Sequence, residues 1–229
     1  FIMGNLNDFD EASNNINKTD LVEIDKWIIS EAIKLHEEIQ ELNDNYAYHH
    51  VIQKIHNFCV HELGGVYLDI IKDRMYVTKS DSYARRSAQF ALFEVAEILI
   101  RLISPILVFT AEEIWQSHEL FKKQSASIFM APQKILSKRE SSISDEDWKK
   151  IFAVKDAVNQ SIEKARADSV IKGSLDSKII ISCDKKTFKA LEKIEDELKF
   201  VFISSEVEIA ESSTSKLDIE VTNFDQKKC

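Results

Sequence analysis

The chain has 229 residues, 44% hydrophobic and 30% charged, with a net charge of −9. It is long enough for one large domain or two modest ones, and it holds no apolar run that would cross a bilayer and no signal-peptide pattern at its start. On charge alone the acidic balance argues against nucleic-acid binding, although a local basic patch can still face a phosphate backbone.

Glycine and proline are scarce, at 4 and 2, so long helices are expected. Residues 1–9 set Ile2, Met3, Leu6 and Phe9 at helical spacing, as at the end of a helix. The opening at Phe1 and the stop at Lys227-Lys228-Cys229 both suggest cuts in a longer polypeptide. Ser13 to Thr19 reads as a loop, with Thr19 or Asp20 as the cap of the next helix. Leu21, Ile24, Trp27, Ile28, Leu35, Ile39 and Leu42 then predict one amphipathic helix. After a turn at Asn43-Asp44-Asn45, a second runs from Val51 to Ile71. Gly64 and Gly65 inside it cost about 1 kcal/mol each relative to Ala, which predicts a close helix approach or a kink. Ser80-Asp81-Ser82 caps a third helix through Ala84 and Leu102, and Ser104-Pro105 ends it and starts a fourth over 106–115.

From His118 to Asp147 the periodicity fades into a Ser-rich crossover. Trp148 opens another helix, with Ile151, Phe152, Val154, Lys155, Val158, Ile162 and Ala165 on its inner side, broken at Lys172-Gly173-Ser174. The period then switches. Strands are predicted at 178–182, 201–203, 207–209 and 217–221, with a helix over 187–198. The expected organisation is mostly α: a helical bundle over 1–120, a crossover linker over 121–147, and a long helix plus a small α+β unit over 148–229.

The block from Tyr67 to Tyr76 carries two aromatics, two acids and two bases in helical spacing. At 100° per residue, Tyr67, Leu68, Ile70, Ile71, Arg74 and Met75 share one arc, and Asp69, Lys72, Asp73 and Tyr76 the other. This predicts an exposed Asp69–Lys72 pair and an inward Arg74 that needs a carboxylate, with Glu94, Glu97 and Glu113 as candidates. Arg85 and Arg86 sit at a helix N-terminus, where the dipole disfavours cations. A phosphate would favour them there; so would a pairing with Asp81. Arg86, Gln89, Phe90 and Phe93 lie near one side, a mix suited to backbone contacts and base stacking.

His49, His50, His56 and His61 show no metal-ligand spacing. Cys59 and Cys183 read as small buried hydrophobes in a reducing cytosol, whereas Cys229 follows a polar segment. Trp27 and Trp115 fall on apolar faces as core residues. Lys172-Gly173-Ser174-Leu175 is too short for a phosphate loop, and no nucleophile elbow or dinucleotide fingerprint occurs. No catalytic residue is expected in the chain.

Several stretches resemble the bacterial isoleucyl-tRNA synthetase family. They are residues 1–9, Asp25-Lys26-Trp27, Asn57-Phe58-Cys59, the block from Tyr67 to Tyr76, Arg85-Arg86-Ser87-Ala88-Gln89 and Ser104 to Trp115. In the second half, Lys155 to Leu175 is similar to the helix and turn that follow in bacterial members. Val108 departs from the family's proline, and Gly173-Ser174 is a shortened turn. The resemblance implies a class I synthetase anticodon-binding bundle, followed by a junction subdomain, that cradles the anticodon stem-loop of isoleucine tRNA. The candidate tRNA contacts are Arg85, Arg86, Gln89, Lys72, Lys79 and Lys172. ATP and magnesium chemistry, with the catalytic and editing domains, would lie upstream in the same polypeptide. Cys229 stands where the first ligand of a C-terminal zinc module would come, its partners missing here. A monomeric cytoplasmic protein is expected. The alternative is a helical protein–protein interaction module without RNA binding, marked by an exposed apolar patch. A third reading is a metal-dependent helical-bundle enzyme.

Overall fold

A computed structural model describes residues 1–10, 20–134, 136, 141–212 and 216–224. It divides into two compact units, Phe1–Glu140 and Ser141–Cys229. The first unit is helical: α1 (Ile2–Asn5), α2 (Glu23–Asp44), α3 (Tyr48–Phe58), a π-helix (Cys59–Leu68), α4 (Asp69–Val77), α5 (Tyr83–Ile103), α6 (Val108–Ser117) and α7 (Glu119–Lys122). Among the described residues no helix is long and apolar enough to cross a membrane.

Helix α5 is the centre of this unit. Ala88, Ala91, Leu92, Val95, Ala96 and Ile98 are all buried, on every side of the helix. Its small residues let neighbours approach, and each large aliphatic contributes about 1.5–3 kcal/mol by leaving water. Ser82 caps it by accepting from Arg85 N. Helix α2 turns Ile24, Ile28, Ala32, Leu35 and Ile39 inward, and its backbone starts at Val22 without a side-chain cap. Instead Val22 N donates to Ser87 Oγ at 3.0 Å. Thr19 lies outside the described residues.

The predicted second helix is one continuous rod, but its middle is π-helical. No neighbouring helix comes within 4 Å of a Cβ built at Gly64 or Gly65, so close helix approach is not their role. A Cβ on Gly64 would stand 2.9 Å from Cys59 O, and one on Gly65 3.1 Å from Val60 O. The wider turn brings the carbonyl five residues back against these positions, and glycine relieves the crowding. Cys59 is half-buried rather than buried, and partial burial raises its thiol pKa.

Pro105 falls in the turn before α6, and Val108 is the first helical residue. Val108 therefore stands at the first helical position, where proline's missing N–H would be harmless. The crossover is packed, not extended, over its first part. Phe121 and Ile128 are buried, Trp115 Nε1 donates to Ser125 O at 2.9 Å, and Glu112 accepts from Ser127 Oγ and Ile128 N. Lys134 reaches back to Glu94 at 3.1 Å and Glu97 at 2.6 Å. The unit boundary therefore falls inside the 121–147 segment, after these contacts.

The second unit holds α8 (Asp145–Ala167), β1 (Ser177–Cys183), α9 (Lys185–Glu192), α10 (Leu198–Val201), β2 (Glu206–Glu211) and β3 (Asp218–Asn223). Strand β1 is central, parallel to β2 and antiparallel to β3. Its alternate residues Ile179, Ile181 and Cys183 are buried. Helix α8 begins at a Ser144 cap and ends at Ala167, before Ser169 with φ 60°. Lys155 is buried and donates to Val201 O at 2.8 Å, which satisfies a carbonyl at the end of α10. The strand predicted at 201–203 does not form: Val201 and Phe202 are buried at a helix end, and Ile203 takes φ 52°.

Candidate nucleic-acid interface

The block from Tyr67 to Tyr76 splits as its spacing predicts. Tyr67, Ile70, Ile71, Arg74 and Met75 are buried, and Lys72 and Tyr76 are exposed. Arg74 finds Asp25, not Glu94, Glu97 or Glu113: Arg74 Nη2 donates to Asp25 Oδ1 at 2.6 Å. The same oxygen accepts from Tyr67 Oη at 2.8 Å, and Oδ2 accepts from Ser87 Oγ at 2.6 Å. One carboxylate thus joins α2, the π-helix, α4 and α5 in the core. Burial, and next the Asp25 charge, push the Tyr67 phenol well above its ordinary pKa. Glu94 and Glu97 instead take Lys134, and Glu97 also takes Arg101 at 2.8 Å.

This hub fixes the end of α4, and from there a polar chain runs to the surface. Thr78 Oγ1 donates to Arg74 O at 2.6 Å, and Ser82 Oγ donates to Thr78 Oγ1 at 3.1 Å. The turn between α4 and α5 presents exposed Lys79 beside Val77 and Tyr83, while Tyr83 Oη donates to Asp20 O. Tyr76 is 68% exposed and packs edge-on against Phe1, itself 50% exposed, with ring centroids 6.1 Å apart. Lys72 lies one turn before Tyr76 and pairs with Asp69 at 2.7 Å. That hydrogen bond is the main reason its pKa is raised. Cations and exposed rings therefore share one corner of the first unit.

Arg85 and Arg86 stand at the start of α5, and their partner is Asp8, not Asp81. Arg85 Nη2 donates to Asp8 Oδ2 at 3.1 Å, and Arg86 Nη1 donates to Asp8 O at 2.6 Å. The carboxylate answers the unfavourable dipole position that these cations occupy. Gln89 is fully buried; its Nε2 donates to Asn5 O and to Asp8 Oδ1, both at 2.7 Å, and its Oε1 accepts from Arg86. Burial opposes ionisation of Asp8, but the Gln89 hydrogen bond and the Arg85 and Arg86 charges outweigh it and lower its pKa. The exposed aromatics of the first unit include Phe1, Tyr46, Tyr48, Tyr76, Tyr83, Phe109 and Phe129, and of these Phe1 and Tyr76 pack on each other, whereas Phe90 and Phe93 are core residues. Spacing within α5 could not reveal this, because the helix is buried on every side.

Lys172 is exposed in the second unit, in the loop after α8. Cys229 lies outside the described residues, among which no three His, Cys, Asp or Glu side chains group to hold a metal. Trp27 and Trp115 are buried. The Glu-Glu-Ile-Trp run over 112–115 works through Glu112 and Trp115 to hold the 125–128 loop, and Arg101 lies over the Trp115 ring at 5.5 Å.

A family model described as the anticodon-binding domain of tRNA ligase matches residues 25–181. The chain is 38% identical over 242 residues to the isoleucine–tRNA ligase of Idiomarina loihiensis, covering 100% of this chain and 25% of that protein. It is 38% identical to the isoleucine–tRNA ligase of Histophilus somni, over 100% of this chain and 26% of that one. The isoleucine–tRNA ligase of Pseudoalteromonas translucida is 39% identical over 98% of this chain and 24% of its own length. The chain spans about a quarter of the length of these curated relatives. The family match begins at Asp25, the carboxylate that joins the bundle's helices, and runs through the bundle, α8 and most of β1. The chain belongs to the family of anticodon-binding domains of tRNA ligases, and along its whole length it is homologous to isoleucine–tRNA ligases.

Proposed function

We propose that this chain recognises the anticodon stem-loop of isoleucine tRNA as part of a longer isoleucine–tRNA ligase, whose ATP- and magnesium-dependent charging chemistry belongs to other domains. The observation that carries the proposal is the corner formed by Phe1, Tyr76, Lys72 and Lys79 on a chain whose net charge is −9. Exposed rings offer stacking platforms to unpaired bases, and flanking cations track the backbone. Lys72, Lys79, Arg85 and Arg86 take phosphates on the first unit, and Lys172 adds a contact from the second. Gln89 acts from below the surface by orienting Asp8 and Arg86. A structural zinc needs four donors and Cys229 brings one, so a zinc module rests on cysteines this chain does not contain.

Binding of an isoleucine anticodon stem-loop, measured beside an unrelated stem-loop at matched salt, tests this. The expected result is weak, salt-sensitive binding that favours the isoleucine stem-loop. Equal binding of both overturns it. Tyr76→Ala should weaken binding about 5- to 150-fold, the range of one lost base–aromatic stack. The second reading, a protein-docking module, is favoured by the apolar turn before α6 and the helix's first residues, where Ile106 and Leu107 are exposed and Phe109 is 90% exposed. It predicts that Phe109→Ser abolishes capture of the partner while stem-loop affinity is absent from the start.

A further inference from the structure

We propose that Asp8 is a positioning residue for the RNA-facing corner: by collecting Arg85, Arg86 and Gln89 it docks the α1 segment on α5 and so holds Phe1 against Tyr76. This rests on the function proposed above. None of the residues of α1 (Ile2–Asn5) is buried. What fixes it lies just beyond its end. Leu6 is fully buried, and Phe9 packs with Phe93, ring centroids 5.9 Å apart. These apolar anchors set depth but not rotation.

Rotation is set by the polar contacts. Both donors of the Gln89 amide are used on this segment, at Asn5 O and Asp8 Oδ1, and its oxygen accepts from Arg86 Nη1. Arg86 Nη1 also binds Asp8 O, and Arg85 Nη2 closes on the second carboxylate oxygen. Asp8 must therefore accept from two sides at once. A carboxylate does so, but an amide turns N–H groups toward one of the donors. Loss of either contact frees the segment that carries Phe1, and the ring leaves the edge of Tyr76.

The opposite role is electrostatic competition, in which Asp8 occupies arginines that phosphates would otherwise take. The two roles predict opposite signs. The test uses the 229-residue chain carrying fluorotyrosine, with the Tyr76 resonance assigned by its loss in Tyr76→Phe. Phe1→Ala marks the resonance position without the stacked ring. In Asp8→Asn the Tyr76 resonance should move toward the Phe1→Ala position. Affinity for the isoleucine stem-loop should fall about tenfold, the size of one lost stack. The thermal transition should stay cooperative. A Tyr76 resonance that stays in place overturns the proposal. So does tighter stem-loop binding with a steeper salt dependence, which would mark competition. So does loss of the cooperative transition, which would make Asp8 a general stability residue. If the unaltered chain binds no stem-loop, the functional reading fails, while the Tyr76 resonance still decides whether Asp8 positions the corner.

Discussion

Asp25 and Asp8 each gather three side chains from other elements of the first unit. Asp25 is fully buried in the first turn of α2, whereas the Asp8 side chain is 42% exposed in the segment after α1. Asp25 binds Tyr67, Arg74 and Ser87 in the core. There no water can replace a lost partner, so each member depends on the others. Asp8 binds Arg85, Arg86 and Gln89 at the rim, where solvent screens two of the three contacts. Similar constellations thus serve different ends. The buried one holds helices in register, and the exposed one orients a surface.

The comparison can be broken by mutation. Asp25→Ala strands the buried Arg74 charge and should cost about 3–5 kcal/mol, read by chemical denaturation. A loss near that of a rim substitution would mean the hub is not organised as described. Gly64→Ala should cost about 1–3 kcal/mol, since its Cβ would stand 2.9 Å from Cys59 O in the π-helix that sets Tyr67 against Asp25. A neutral result would show that the rod relaxes without disturbing the hub.

Asp8→Asn should cost no more than about 1 kcal/mol at neutral pH. Its carboxyl is depressed below 3.8 in the folded state. The stability it contributes is therefore full above the unfolded-state value and is lost as pH falls through the folded one. The variant and the unaltered chain should differ above pH 3.8 and converge below it in acid-unfolding curves. Glu97, depressed below 4.5 because Lys134 and Arg101 outweigh its burial, follows the same sign from pH 4.5 downward. The smallest effect is expected for Lys72→Ala. Losing its pair with Asp69 should cost about 0.2–0.5 kcal/mol, while the salt slope of stem-loop binding drops by about 1.

Much of the fold is legible in the chain because helices write their period locally. The buried arc of Tyr67, Ile70, Ile71, Arg74 and Met75, and the Asp69–Lys72 pair, follow from spacing alone. So do the helix over Glu23–Asp44 and the central strand at Ser177–Cys183. The π-helical turn was legible only as two costly glycines. The strand expected at 201–203 failed because a short apolar run fits a buried helix end as well as a strand. Of the site, Lys72 is a surface residue as its spacing suggests and Lys79 is exposed in the turn after α4, whereas Gln89 lies beneath the surface, because α5 is covered on all sides by helices distant in sequence.

The sequence by itself determined the family, the helical class of the first half, the α+β character of the second and the inward turn of Arg74. Only the tertiary structure decided which carboxylate meets Arg74, Arg85 and Arg86. Asp25 lies 49 residues from Arg74, and Asp8 lies 77 from Arg85. A local period says which face a residue takes but not which distant helix that face will meet. That choice is made by the packing of α1, α2 and α4 around α5.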